Sequence, residues 1–149
     1  MKALRKLLRL SLSDCYLLAK SLMLVIVIRV GLWILPFRTV QALLATLIRV
    51  TATASVPTSR VSIDRVRWAV TLTSRYVPKA TCLTQTLAAK VLLSQCGYTA
   101  QVRVGVARDA SEQLQAHAWI ESEGRIVIGG SRAFVKRYTQ LSTSDNELL

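Results

Sequence analysis

Acidic residues are scarce in this chain of 149 residues. Eight Asp and Glu side chains stand against twenty Lys and Arg, so the formal net charge is +12. The imbalance is largest at the start, because residues 1–60 carry nine basic residues and a single acid, Asp14. A surface this basic attracts acidic peptides, anionic lipid or nucleic acid, and charge alone does not choose among them. A disordered chain is excluded, since 52% of the residues are hydrophobic.

Cysteine and histidine are also rare, with three cysteines and one histidine. An odd number of thiols cannot all pair in disulfides, and the spacing of Cys15, Cys82 and Cys96 matches no metal-binding pattern such as C-x-x-C. The N-terminus shows no cleavage site of a signal peptide. We therefore expect free thiols in a reducing cytosol, with neither a metal nor another cofactor.

A long uncharged hydrophobic run is missing as well. Leu22–Ile28 is strongly apolar and follows the basic segment Met1–Arg9, but Lys20 and Arg29 interrupt it. A membrane-spanning helix needs roughly 18 or more apolar residues without such charges. We expect a buried or membrane-grazing helix instead, in a cytoplasmic protein whose peripheral contact with the inner face of the membrane stays open.

The hydrophobic pattern predicts helices first and a small antiparallel sheet afterwards. The helices are expected at Cys15–Leu35, Thr39–Arg49, Ser62–Tyr76 and Cys82–Gln95, and the strands at Thr99–Ala107, Gln115–Glu121 and Arg125–Gly129. Thr51–Ser59 is interpreted as a connector, and the polar tail from Ser131 is poorly determined by the sequence. This order indicates an α+β fold. In it, a basic, apolar helical region at residues 1–59 packs on a core at residues 60–149.

Cys82 and His117 are the residues with the clearest chemical potential. Thr81 is a good N-cap, so Cys82 is predicted to open a helix, where unpaired N–H groups and the helix dipole favour the thiolate. The same N–H groups can stabilise an oxyanion. His117 lies on the second predicted strand, and Trp119 shares its face. A cysteine at a helix start and a histidine on a sheet packed against that helix is the arrangement that a papain-like nucleophile requires.

Both residues also have a purely structural interpretation. A lone cysteine is more often a small buried apolar residue than a nucleophile, and a lone histidine is usually structural. Cys15 and Cys96 fit that interpretation well, because the sequence places no base beside either of them. The pair Cys82 and His117 is therefore predicted to be catalytic only if the two side chains meet in space.

The sequence around the pair resembles a known family. The resemblance lies in Leu35-Pro36-Phe37-Arg38, Ala80-Thr81-Cys82-Leu83, Leu87-Ala88-Ala89, Gly97, Val104-Gly105-Val106 and His117-Ala118-Trp119-Ile120-Glu121. These segments resemble the papain/transglutaminase-like core, and more closely the lasso-peptide biosynthesis B protein in its split form, the leader peptidase. The resemblance covers most of Leu8–Gly130, and the segments around Cys82 and His117 are its specific part.

The resemblance implies a cysteine peptidase that removes the leader from a ribosomally made lasso-peptide precursor. It also implies two partners besides the precursor, namely a small leader-recognition protein and an ATP-dependent lasso cyclase, and no nucleic acid. The chain has no room for a leader-binding domain beside the peptidase core, which favours a separate partner. Two alternatives stay open: an acyltransferase of the transglutaminase-like type, and a non-catalytic scaffold that binds a peptide or a partner protein.

The third catalytic residue is not found where the resemblance implies it. Such enzymes normally carry an Asp on the strand after the histidine, to hold the imidazole in its working tautomer. A two-residue turn would place His117 opposite Gly130, with Gly129 and Ser131 beside it, and none of these is an acid. We expect that an Asp introduced at Gly129 or Gly130 raises cleavage, unless a positive φ there makes any side chain costly.

Other acids are poor substitutes for the missing Asp. Glu121 lies four residues from His117 along the same strand, roughly 13 Å away, which is too far for a hydrogen bond. A backbone carbonyl, a water, Ser131 or a side chain from elsewhere could orient the imidazole instead. If the acid comes from the loop before the histidine strand, Asp109 and Glu112 are the first candidates.

Overall fold

The computed structural model describes residues 11–54 and 61–141, and within these ranges the chain forms five helices and four strands. The helices are α1 (Leu12–Ile34), α2 (Phe37–Ala54), α3 (Ile63–Ser74), α4 (Cys82–Gln95) and the short α5 (Arg132–Val135). The strands are β1 (Ala100–Arg108), β2 (Leu114–Ser122), β3 (Arg125–Ile128) and β4 (Thr139–Gln140). The predicted α+β class is confirmed.

Helix α1 begins three residues before its predicted start, because Ser11 is its N-cap. The Ser11 side chain accepts a hydrogen bond from the backbone N–H of Asp14, and the Asp14 carboxylate accepts one from the backbone N–H of Ser11. This reciprocal capping box satisfies two N–H groups at the helix start. Asp14 also forms an ion pair with Arg65, which joins the start of α1 to α3.

The segment between α2 and α3 was predicted as a connector from Thr51 onward, and this boundary is wrong. Helix α2 continues to Ala54, so residues 51–54 are helical. Thr51 is accommodated within the helix, since its hydroxyl donates a hydrogen bond to the carbonyl of Leu47, one turn earlier. The rest of the predicted connector, together with the predicted domain boundary at residues 59 and 60, lies outside the described residues.

Helix α4 is the centre of the fold, and its predicted bounds are confirmed. Thr81 caps its start, and Gly97, at φ +82°, lets the chain turn away after its end. Every residue of the helix is buried or half-buried, because the helix contacts α1, α2, α3 and the sheet. Its fully or almost fully buried apolar side chains are Leu87, Ala88, Ala89, Val91, Leu92 and Leu93.

The four strands form one antiparallel sheet in the order β3–β2–β1–β4. Val102 on β1 pairs with Ile120 on β2, and both belong to the core that the helices share. Because side chains alternate along a strand, Gly105, His117 and Trp119 lie on the opposite face. This alternation determines which side chains surround His117, the candidate base.

The part of the tail that the structure describes, residues 131–141, contains a helix and a strand where the sequence determined no element. Ser131 caps α5, since its side chain accepts a hydrogen bond from the N–H of Phe134. Strand β4 then pairs with β1, with Gln140 opposite Gly105. The tail is mostly polar, but two of its residues, Phe134 and Tyr138, cover the outer face of the sheet.

Helix α1 is long and apolar enough to cross a membrane by length and composition. It has 23 residues, and an 18-residue window in it has a mean hydropathy of 2.1, with 22% of that window buried. Buried core helices and signal sequences near an N-terminus meet the same criteria, so this finding is weak evidence for a span. That α1 lies outside the bilayer core stays a prediction.

Candidate active site

Cys82 is the first residue of α4 and is half-buried. The hydroxyl of Thr81 accepts a hydrogen bond from the N–H of Thr84 at 3.4 Å, which fixes the N-terminal turn. The N–H groups of Cys82 and Leu83 have no acceptor within the helix, as is general for a first helical turn. The thiol therefore lies beside two hydrogen-bond donors at the positive end of a helix, where an oxyanion formed by its attack would be stabilised.

A pocket of about 540 Å³ opens beside the thiol. Its walls come from α2, the start of α4, the two central strands and the residue after β4. The lining residues are Phe37, Thr81, Cys82, Leu83, Val104, Ala116, His117, Ala118 and Leu141. Most of these side chains are apolar, so the pocket suits an apolar group next to the atom that Cys82 attacks.

His117 lines the same pocket, but its ring is engaged elsewhere. The Nε2 atom lies 2.7 Å from the carbonyl oxygen of Gly129. The ring stacks on Trp119 at a centroid distance of 6.5 Å and contacts Phe134 and Tyr138 at 5.3 and 5.2 Å. These aromatic rings belong to the outer face of the sheet, away from α4.

The structure therefore brings Cys82 and His117 to one pocket without joining their side chains. Within the described residues, no hydrogen bond links the thiol to the imidazole. The alternation along β2 explains this, because Ala116 and Ala118 face the pocket beneath α4 while His117 points to the other side of the sheet. The assignment of these two residues as a catalytic pair stays a prediction.

The Gly129 carbonyl occupies the orienting position for which the resemblance implies an acid, and a backbone carbonyl is one of the substitutes named above. A carbonyl only accepts hydrogen bonds, so the proton of the neutral ring is assigned to Nε2 and the lone pair to Nδ1. Among the described residues, the imidazole has no carboxylate partner. The carbonyl selects one tautomer, as the Asp of a triad does, but it brings no negative charge to an imidazolium.

The expectation that His117 faces Gly130 is wrong, and the reason is a bulge in β3. Glu121 pairs with Ile126 as expected, but Ile120 pairs with Ile128, so Val127 is an extra residue. A bulge shifts the register of everything beyond it by one residue. The chain then leaves the sheet, and the carbonyl of Gly129 rather than a side chain reaches the ring.

Both glycines have the positive φ that makes a side chain costly. Gly129 has φ +108° and Gly130 has φ +105°. A Cβ on Gly129 would lie 2.6 Å from the Cα of Trp119 and closer still to its Cβ, and a Cβ on Gly130 would lie 2.8 Å from Phe134. An Asp at either position therefore strains the fold before it can help His117, which overturns the expected gain in cleavage.

Glu121 and Asp109, two of the other candidate acids, have partners of their own. Trp119 donates from Nε1 to Glu121 at 2.9 Å, so Glu121 is a structural residue. The carboxylate of Asp109 accepts hydrogen bonds from the N–H groups of Ser111 and Gln113, and these bonds, that of Gln113 first, lower its pKa. Asp109 thus shapes the loop between β1 and β2 rather than the site.

The remaining thiols differ from Cys82 in their surroundings. Cys15 is exposed on α1, outside the pocket. Cys96 is half-buried after α4, and burial raises the pKa of its thiol, against smaller opposite effects of Lys20 and the backbone of Val61. The raised pKa disfavours the thiolate and makes Cys96 a slow nucleophile.

Four residues of the site and its surroundings were missed by sequence analysis. Phe37 and Leu141 line the pocket, and Phe134 and Tyr138 hold the ring of His117. A signal for two of them was present: Ser131 is a good N-cap, and Phe134 and Tyr138 are spaced by four residues. Leu141 had none, because its position depends on the pairing of β4 with β1.

The fold and the site define an α+β domain with a cysteine at the start of its central helix and a histidine on the adjoining sheet. Comparison with protein families matches residues 23–143 to the transglutaminase-like superfamily, so the chain belongs to that superfamily. The superfamily includes cysteine peptidases and acyltransferases, and its members are commonly cysteine-dependent enzymes. The comparisons with curated proteins and with solved structures gave no match.

Proposed function

We propose that this protein is a cysteine peptidase that removes the leader from a ribosomally made lasso-peptide precursor, as the split-form B protein of lasso-peptide biosynthesis does. The observation that carries the proposal is the half-buried Cys82 at the start of α4, in a pocket that His117 also lines. Membership of a superfamily that includes cysteine peptidases supports the reaction class. The precursor, a small leader-recognition protein and an ATP-dependent lasso cyclase are its proposed partners.

The proposed reaction begins when the Cys82 thiol transfers its proton to Nδ1 of His117 and the sulfur attacks the scissile carbonyl carbon. The N–H groups of Cys82 and Leu83 donate to the oxyanion. The carbon–nitrogen bond breaks and the imidazolium protonates the departing amine. Water then attacks the thioester with His117 as its base, the carbon–sulfur bond breaks, and the thiol is restored.

This reaction requires a change from the described arrangement. The imidazole accepts the thiol proton only when it reaches the pocket side of the sheet, whereas in the structure it is held by the Gly129 carbonyl, Phe134 and Tyr138. We therefore propose that binding of the precursor or of the leader-recognition protein shifts β2 together with the Gly129 segment, so that the ring leaves Phe134 and Tyr138 and keeps its Gly129 acceptor. The tautomer assigned from the Gly129 carbonyl, with Nδ1 unprotonated, is the one that the proton transfer uses.

Cleavage should depend on the two predicted catalytic residues and on neither of the other thiols. Cys82→Ala and His117→Ala should each lower the cleavage rate of the precursor by at least about 100-fold, since nucleophile and base act in the same step. Cys15→Ser and Cys96→Ser are matched controls and should cleave at the parent rate. Mass spectrometry of the precursor, with the leader-recognition protein present, measures the products, and circular dichroism verifies folding. Full cleavage by folded Cys82→Ala would refute the proposal.

A non-catalytic scaffold is the second candidate, and the position of His117 favours it. The ring of His117 is enclosed by aromatic side chains on the outer face of the sheet. A purely structural role in packing explains that position as well as a catalytic role does. Alkylation of the native protein distinguishes the two candidates. An enzyme should react faster at the half-buried Cys82 than at the exposed Cys15, whereas a scaffold should show the order of exposure. Cys96 should be the slowest in both cases, because its pKa is raised.

An acyltransferase would use the same nucleophile and a different acceptor. The acyl group would pass from Cys82 to an amine instead of water. Adding a primary amine to the cleavage reaction separates the two outcomes by product mass. If all of the product carries the added amine, the enzyme is an acyltransferase. If the product has a free carboxylic acid, the enzyme is a peptidase.

A further inference from the structure

Exposed apolar side chains are concentrated on the first two helices. Of the eighteen large apolar side chains that are exposed in the described part of the chain, thirteen lie between Leu12 and Val50. On α2 they form a stripe of Leu43, Leu47 and Val50 at helical spacing, directly beside the buried Val40 and Leu44. A patch this extended is uncommon on a protein that meets only water.

The patch includes the turn between α1 and α2. Trp33 is 80% exposed and Ile34 is 67% exposed, and Leu35 and Phe37 are exposed as well. Pro36 separates α1 from α2 and is exposed as well. We call residues 33–37 the apolar corner. Its side chains carry one hydrogen-bonding group, the indole N–H of Trp33.

Basic residues flank the corner on both sides. Arg29 lies one turn before it and Arg38 directly follows it. Residues 11–54 contain four basic residues and one acid. That acid, Asp14, is already paired with Arg65 of α3. The segment therefore presents apolar side chains together with a positive charge that its own acids do not balance.

We propose that the apolar corner docks on an anionic lipid bilayer and inserts at the interface. Trp33 is suited to that depth because its ring is apolar and its N–H is polar, and the flanking arginines would meet anionic headgroups. A protein partner is the less favoured occupant, because interfaces between proteins average about one hydrogen bond per 100–200 Å² and the corner offers almost none.

The fold indicates that α1 lies along the bilayer and does not cross it. Its inner face supplies Leu17, Val25 and Ile28 to the core, each at most 5% exposed. Ser21 is fully buried and hydrogen-bonded to Thr73 of α3 at 3.0 Å. Transfer of α1 into the bilayer would remove these contacts and expose the core beneath. An in-plane position keeps them and covers only the outer face.

Docking would also bring the Cys82 pocket to the lipid surface. Phe37 belongs to the apolar corner and to the pocket wall. A substrate held at the bilayer would therefore reach the pocket directly. The proposal itself does not depend on the activity of Cys82, so its success or failure is independent of the proposed function.

Sedimentation of the full chain with vesicles tests the proposal. Vesicles of phosphatidylcholine and phosphatidylglycerol should bind the protein, and vesicles of phosphatidylcholine alone should bind it far less. The double variant Trp33→Ser/Ile34→Ser should bind at least about tenfold more weakly, since it removes the inserted apolar area. Both side chains are exposed, so the variant should fold. Leu114→Ser, which is 70% exposed on β2, is the matched control and should bind normally.

Three results would overturn the proposal. Equal binding to neutral and anionic vesicles would contradict the role of charge, and unchanged binding of the Trp33→Ser/Ile34→Ser variant would contradict the role of the corner. Protein that resists extraction by alkaline carbonate would show that α1 spans the bilayer. Release by high salt or carbonate, together with a blue shift of the fluorescence that is lost in Trp33→Phe, supports interfacial docking.

Discussion

At the scale of single residues, Gly129 decides what orients the imidazole. The bulge at Val127 and the positive φ of Gly129 turn the backbone so that a carbonyl, and not a side chain, reaches Nε2 of His117. A carboxylate at this place would stabilise an imidazolium by its charge, and the carbonyl does so only by its dipole. The carbonyl therefore selects the same tautomer as a carboxylate would, but it stabilises the imidazolium less.

Gly129→Ala should destabilise the protein more than Gly97→Ala does. Both glycines have a positive φ, so both substitutions carry a backbone cost of about 1–2 kcal/mol. A Cβ at Gly97 meets open space, whereas one at Gly129 meets Trp119, which adds about 1–3 kcal/mol of overpacking. Urea unfolding of the two variants measures the difference. Equal midpoints would show that the backbone at Gly129 relaxes, and an acid at that position would then become feasible.

At the scale of elements, α1 has two apolar faces with different roles. Leu17, Val25 and Ile28 face α3, α4 and the rest of the core, while Met23, Val27 and Val30 remain exposed. Sequence periodicity does not separate these faces, because apolar residues surround most of the helix. Only the packing of α1 on α3 and α4 shows which side is structural.

Val25→Ala and Val27→Ala form a matched test of the two faces. Val25 is fully buried, so its truncation should lower the free energy of unfolding by about 2 kcal/mol. Val27 is 59% exposed, and its truncation should change stability by no more than about 0.5 kcal/mol. The helix propensity gained on replacing valine by alanine is the same at both sites. Chemical denaturation measures both values, and a larger loss at Val27 would mean that the helix is rotated from the described position.

At the scale of the whole molecule, local signals predicted the elements and long-range pairing determined the site. The cap at Thr81 and the stop at Gly97 are local, so the sequence alone predicted α4 with its bounds. The bulge at Val127 was not predictable, because alternation assumes a uniform register. The position of the His117 ring follows from that register and from the packing of a tail whose polar composition suggested no structure.

The helical region and the sheet share one core, and this determines how the molecule should unfold. Val25 on α1, Val91 on α4 and Ile120 on β2 are all fully buried in a single cluster. No separate apolar core supports α1 within the described residues, so the region before residue 60 should not remain folded without the rest.

Hydrogen exchange measured by mass spectrometry tests this cooperativity. Peptides from α1 and from β2 should show the same maximum protection against exchange, since both open only in global unfolding. Val25→Ala should then lower the protection of β2 as much as that of α1, by about 2 kcal/mol, although the substitution lies on α1. The matched Val27→Ala variant should leave both unchanged. If β2 keeps its protection in Val25→Ala while α1 loses it, the helical region is an independent unit, and a domain boundary near residue 60 would have energetic meaning.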